Sequence, residues 1–138
     1  CTESILYSTG DNSGLASIFN RQCFETQREE TIHLDTLDHY CMANNITNID
    51  LLKLDIEGNE LNALRGAKGM LELGKIDIIQ MEFGGCNIDS RTFFRDFWNL
   101  LHEQYRVYRV LLDGLWEIDE YYEILEIFTC TNYLFIRK

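Results

Sequence analysis

The sequence predicts an α/β fold, and three observations carry that prediction. Ile49-Asp50-Leu51-Leu52-Lys53-Leu54-Asp55-Ile56 is nearly continuous apolar sequence, the pattern of a strand covered on both faces. Leu61, Leu64, Ala67 and Leu71 recur at spacings of three and four, the inner stripe of a helix over about 59–73. Ile76 to Phe83 is a second buried-strand run, ending at Gly84-Gly85. Strand, helix and strand with short connections form a right-handed crossover, so the two strands are expected to be parallel.

The remaining elements follow in chain order. Residues 4–8 (SILYS) read as a short strand before a turn-rich loop, Thr9-Gly10-Asp11-Asn12-Ser13-Gly14. Residues 15–30 are polar and ambiguous, with Arg28-Glu29-Glu30 solvated, and Thr31-Ile32-His33-Leu34 reads as a strand. Asp35 is placed to cap a helix whose inner residues are Leu37, Tyr40 and Cys41 and which Asn44-Asn45 ends. Gly58 breaks the strand that starts at Ile49, and Gly74 closes the following helix. Ser90 is placed to cap a helix with Phe93, Phe97, Leu100 and Leu101 on its inner face. Residues 105–112 and 124–136 read as two closing strands around an acidic connection, Glu117 to Glu126.

A chain of 138 residues is long enough for one domain with a sizeable core. Twelve Lys and Arg against 23 Asp and Glu leave a formal charge of −11, which argues against nucleic-acid or anionic-membrane partners. No apolar run approaches the ~20 residues that cross a bilayer. The five cysteines, at 1, 23, 41, 86 and 130, show neither disulfide-scaffold density nor C-x-x-C spacing. Reduced thiols in the cytoplasm are the expectation, and no metal-ligand set is read from the sequence.

Ligands in parallel α/β sheets bind beyond the carboxyl ends of the strands, and Asp55, Glu57 and Glu82 all lie at such ends. Period-two alternation places Lys53, Asp55 and Glu57 on one face. A lysine inside a buried strand requires a partner, with Asp55 and Glu82 available, and Lys53 is expected to be buried and paired with Glu82. Two readings stay open at these positions. Lys53 and Glu82 can be an ion pair that sets register, with Asp55 and Glu57 as helix-capping carboxylates. Alternatively, the carboxylates carry chemistry.

The stretch Ile49 to Leu71 contains K-x-D-x-E-G followed by E-L and R-G-A, and it resembles the signature of the FkbM-type methyltransferases. Leu34-Asp35-Thr36-Leu37-Asp38 resembles the segment before that signature, and Ile78 to Phe83 the strand after it with its terminal Glu. Tyr133-Leu134-Phe135-Ile136 resembles the last strand. The resemblance covers about residues 31–138, with a weaker match over 4–18.

That resemblance implies a Rossmann-like class I methyltransferase sheet that uses S-adenosylmethionine, usually to methylate a hydroxyl oxygen on a small molecule or glycan. It also implies a partial sheet, roughly strands four to seven, mostly parallel with an antiparallel closing hairpin. The family's glycine-rich loop and the acidic residue after its second strand have no counterpart here. Residues 1–138 are therefore expected to be one partial domain without its N-terminal cofactor-binding half. They are expected to be inactive in isolation, with the strand from Ile49 to Ile56 unpaired on one flank. By the same resemblance Asp55 matches the position that faces the cofactor's methyl group, and it is expected to position cofactor or acceptor. Glu57 beside it is expected to be the base or acceptor ligand. His33 and His39 are alternative bases, because histidine is the commonest general base. A non-catalytic interaction module and another α/β enzyme of the same topology are the competing readings.

Overall fold

The computed structural model describes residues 2–11, 13–21, 25–26 and 28–138. Cys1, Asn12 of the turn-rich loop, and Cys23 with other parts of the ambiguous stretch lie outside them. Strands β1 (Thr2–Ser8) and β2 (Arg28–Leu34) pair antiparallel as a separate two-stranded sheet, with Ile5 opposite Thr31. Helix α1 (Leu37–Ala43) follows. Its cap is Thr36 rather than Asp35. Thr36 has the extended conformation of a cap and its hydroxyl accepts from the His39 N–H at 3.2 Å, while Asp35 accepts from Thr36 N and the His39 ring. Cys41 is buried on the inner face but Tyr40 is exposed.

The crossover is present: β3 (Ile49–Leu54) and β4 (Ile76–Phe83) are parallel, with α2 (Glu60–Arg65) and α3 (Lys68–Glu72) between them. The single expected helix is broken at Gly66-Ala67, and Asp38 of α1 supplies the physical reason. Its backbone N–H donates to Gly66 O at 2.9 Å, and its carboxylate accepts from Gly69 N at 2.7 Å and Met70 N at 3.0 Å. A remote side chain thus caps a second helix start inside a continuous apolar stripe. Leu61, Leu64, Ala67 and Leu71 are buried as the spacing predicts. Gly74 ends the unit at φ +61°.

Helices α4 (Cys86–Ser90) and α5 (Phe94–Leu101) come next. Ser90 is the last residue of α4, not the cap of α5. The start of α5 is instead capped from far along the chain by Glu126, which accepts from Phe94 N at 2.7 Å and Arg95 N at 2.9 Å. The buried face of α5 is Phe94, Phe97 and Leu101, leaving Phe93 and Leu100 exposed. Three strands, not two, close the sheet: β5 (Tyr105–Leu111), β6 (Gly114–Ile118) and β7 (Thr131–Arg137), with a 3₁₀ turn over Glu123–Leu125 before β7. The acidic connection conceals the end of β6, because only Ile118 of that five-residue strand is buried.

The main sheet has the order β3-β4-β7-β5-β6. Only β3 and β4 are parallel, so the expected mostly parallel sheet is corrected to a mixed one. The cause is topological. The last strand, β7, runs opposite to β4 and β5 and inserts between them, making both contacts antiparallel. The closing hairpin is present as β5–β6.

Two rows of side chains across this sheet define its faces. Leu52, Ile79, Phe135, Val107 and Ile118 are neighbours from strand to strand and look into the core, where the helices supply Cys41, Leu64, Leu71, Phe97 and Leu101. Phe83 at the end of β4 packs edge-on against Phe94 and Phe97 at ring separations of 5.7 and 6.2 Å. The adjacent row is Lys53, Gln80, Leu134, Tyr108 and Glu117, on the opposite face. That face is open among the described residues, with Leu51 55% and Leu115 49% exposed. The continuous apolar run of β3 therefore does not mean burial on both sides.

Candidate functional site

The turn after β3 carries the chemistry-bearing residues, and its shape is built from several directions. Glu57 and Gly58 both have positive φ, +51° and +102°. At Gly58 a side chain is excluded outright, because a Cβ would stand 2.9 Å from the backbone carbonyl oxygen of Cys86. From beneath the turn, the Glu60 carboxylate accepts from Ile56 N at 3.1 Å and Gly58 N at 3.2 Å through one oxygen, Oε1. From the segment before β2, the Ser17 hydroxyl donates to Glu57 O at 2.6 Å and Arg21 Nη1 to Glu57 Oε2 at 2.6 Å. Ser17 is held in turn by two backbone hydrogen bonds to Tyr7, at 2.8 and 3.0 Å.

The next strand contributes Glu82, set beside the aromatic anchor Phe83. Asp55, Glu57 and Glu82 each offer a carboxylate oxygen within 4.8 Å of the others. Strand ends separated by more than twenty residues of sequence are thus brought to one point, as the spacing anticipates. Lys53 is not part of a buried pair. Its side chain is 55% exposed and its ammonium donates to Asp55 Oδ2 at 2.9 Å, with Glu82 acting only as a nearby charge. The correction follows from the open sheet face on which Lys53 stands: water solvates it, so no buried partner is required. His33 Nδ1 lies 3.9 Å from a Glu3 oxygen and His39 Nδ1 2.6 Å from an Asp35 oxygen, and neither joins the carboxylate cluster.

Two acids of the turn, Glu57 and Glu60, hold their protons more tightly than usual. Burial raises the Glu57 carboxyl above its ordinary value; Arg21 partly offsets this, and Glu82, Asp55 and Glu60 push it up further. Glu60, 1% exposed and with Oε2 unpartnered, is likewise raised by burial despite its backbone hydrogen bonds. The neighbouring Cys86 thiol is pushed up to about 12, first by burial and then by Glu60 and Glu57. The exposed Cys130 thiol is raised to about 11, chiefly because it donates a hydrogen bond to Glu82.

Arg21, Ser17, Glu60, Cys86 and Cys130 are the residues that sequence reasoning does not single out. Only Glu60 had a local signal, the second Glu of E-G-N-E. Arg21, Ser17 and Cys86 reach the turn from other segments of the chain, and Cys130 reaches Glu82 from just before β7. A cation could be spanned by three carboxylates at this spacing, but Lys53 and Arg21 already neutralise two of them, so the set is not assigned as a metal site. A cleft of about 470 Å³ lies on the other side of β3, against Leu52, Leu54, Ile56 and α1, away from the row that leads to Glu82.

A crossover sheet with a carboxylate cluster at the carboxyl ends of its two parallel strands is the layout of an α/β domain that binds ligands at the strand ends. The model of the methyltransferase FkbM domain matches residues 2–110, from β1 into β5. The chain belongs to the FkbM methyltransferase domain family. The match takes in β1, where the sequence resemblance is weaker, and stops before β6 and β7, so Tyr133 to Ile136 lie beyond it. Neither the curated proteins nor the solved structures compared contain a match. Among the described residues no helix is long and apolar enough to cross a membrane, which does not bear on β-barrels.

Proposed function

We propose that this domain acts in methyl transfer from S-adenosylmethionine to a hydroxyl oxygen of a small molecule or glycan, in the cytoplasm. The carrying observation is the convergence of Asp55, Glu57 and Glu82 within 4.8 Å in a chain of this family. Members of the family generally use S-adenosylmethionine. When bound, that group supplies a methyl carbon to which the acceptor oxygen bonds as the carbon–sulfur bond breaks, the electron pair remaining on sulfur. The chemistry of the donor set fits its sulfonium: a cation is favoured beside carboxylates. The two glycines that end β3 and β4 do not fit its amino-acid end. A Cβ at Gly58 would meet Cys86 O at 2.9 Å and one at Gly84 would meet the Cys130 backbone at 3.0 Å, so both spaces are filled by protein.

In this reading Asp55, held by Lys53 at the strand end, orients cofactor or acceptor through geometry. Glu57 takes the hydroxyl proton, a role suited to a carboxyl raised by burial. The net charge of −11 supports an uncharged or cationic acceptor over a nucleic acid or membrane.

The test is methyl transfer from isotopically labelled S-adenosylmethionine to a panel of sugars by the full-length gene product. Label in a methyl ether is the expected product. Glu57→Gln is expected to lower turnover by something like 10²–10⁴-fold, the range of a lost general base. Asp55→Asn is expected to weaken binding as well as turnover. Wild-type turnover in Glu57→Gln would remove Glu57 from the reaction. A non-catalytic interaction module is the second reading, favoured by the open sheet face with Leu51 and Leu115. Absence of any labelled product from the wild-type protein would favour it.

A further inference from the structure

We infer that Arg21 is the positioning residue of Glu57: it holds one carboxylate oxygen and leaves the second to receive the acceptor's proton. The inference deepens the proposed methyl transfer and rests on Glu57 being its base.

The geometry supports a positioning role over a simple tether. Arg21 and Glu57 are each only 12% exposed at the side chain, so their 2.6 Å contact is shielded from water. Arg21 is itself held from the far side by Asp89 of α4, at 3.5 Å from Nε. The backbone of Glu57 is fixed independently by Ser17, whose hydroxyl donates to Glu57 O at 2.6 Å. Main chain and side chain of one residue are therefore held by the same short segment, at a position with φ +51°. A residue needed only as a loop member would not require two partners four positions apart in sequence.

The charges around Glu57 explain why a guanidinium is needed. Asp55, Glu60 and Glu82 face it from the β3 turn, the start of α2 and the end of β4, while Asp89 and the Cys86 thiol approach from α4. Lys53 is committed to Asp55. Without Arg21 this surrounding of acids would leave Glu57 protonated to a higher pH, and a protonated carboxyl cannot act as a base. Guanidinium stays charged throughout and donates in a fixed plane, which an ammonium does not reproduce.

The test follows the Glu57 carboxyl carbon by NMR across pH in full-length protein labelled at glutamate, assigned with Glu57→Gln. In Arg21→Met the Glu57 midpoint is expected to rise by about one pH unit or more, a tenfold or greater gain in proton affinity. Arg21→Lys is expected to recover part of that shift. An unmoved midpoint in Arg21→Met overturns the inference. Should Arg21→Met fail to fold, Arg21→Lys decides: a smaller upward shift supports the inference, and an unchanged midpoint overturns it. A second arm measures labelled methyl transfer to glucose as the hydroxyl probe. There the acid limb of kcat is expected to move with the Glu57 midpoint while KM for glucose stays within about twofold. A shifted midpoint with an unshifted limb would leave Arg21 as the group that sets Glu57 and would instead refute Glu57 as the base.

Discussion

Glu60 shows how much a single side chain can decide at this site. It is 1% exposed, it gives one oxygen to two backbone N–H groups of the turn, and its other oxygen has no hydrogen-bond partner among the described residues. Burial raises its pKa, so the folded chain binds this proton more tightly than the unfolded chain does. Its contribution to stability is therefore complete below the ordinary carboxyl value of 4.5 and is lost as pH rises through the raised folded value. Glu60→Gln reproduces the protonated form. Urea unfolding across pH is expected to find the variant equal to wild type at the acid end and more stable at neutral pH. Glu60→Ala, which strands Ile56 N and Gly58 N, is expected to cost about 1–3 kcal/mol at either end. At Cys130 the same acidity is visible from outside. The thiol is exposed, yet its hydrogen bond to Glu82 raises it to about 11. Iodoacetamide at pH 7 is expected to alkylate it slowly, and faster in Glu82→Gln, because the thiolate is the reacting species.

Among the elements, helices α3 and α5 share a device: each start is capped by a carboxylate from distant sequence, Asp38 and Glu126. Tyr121 steadies the second through a 2.7 Å hydrogen bond and is itself pushed up to about 12 by burial and by Glu126. Asp38→Ala is expected to cost about 1–2 kcal/mol in urea unfolding, the range of a lost cap, with Asp38→Asn recovering part of it. Such caps mark the limit of what the sequence shows. The β3, β4 and Gly74 boundaries were legible because apolar runs and glycines are local signals. The break at Gly66, the true start of α5 and the short β6 were not, because each depends on a partner 30 or more residues away or on a strand with one buried residue. The carboxylate cluster was legible from strand ends alone, whereas Arg21 and Ser17, which hold it, carry no pattern near the motif.

On the scale of the whole molecule, the five-stranded sheet has one covered face and, among the described residues, one open face. The covered face holds the aromatic and aliphatic core, and the open one explains the solvated Lys53. An apolar run in sequence reports the material of a strand, not how many neighbours it has. The same asymmetry applies along the sheet: β4, β7 and β5 each have two partners, whereas β3 has only β4 among the described residues.

Asp55 rides on that singly held strand, while Glu82 rides on a doubly held one. The spacing between them therefore depends on one ladder, Ile49 to Leu54 against Ile76 to Met81. Local opening of β3 would part the two carboxylates while leaving the other four strands in place, at a free energy well below global unfolding. Native-state hydrogen exchange is expected to show it: amides of Leu52 and Leu54 exchanging sooner than those of Ile79 and Met81, with denaturant affecting the first pair less. The cluster's lifetime would then be set by the fraying of one edge, a clock separate from the stability of the fold.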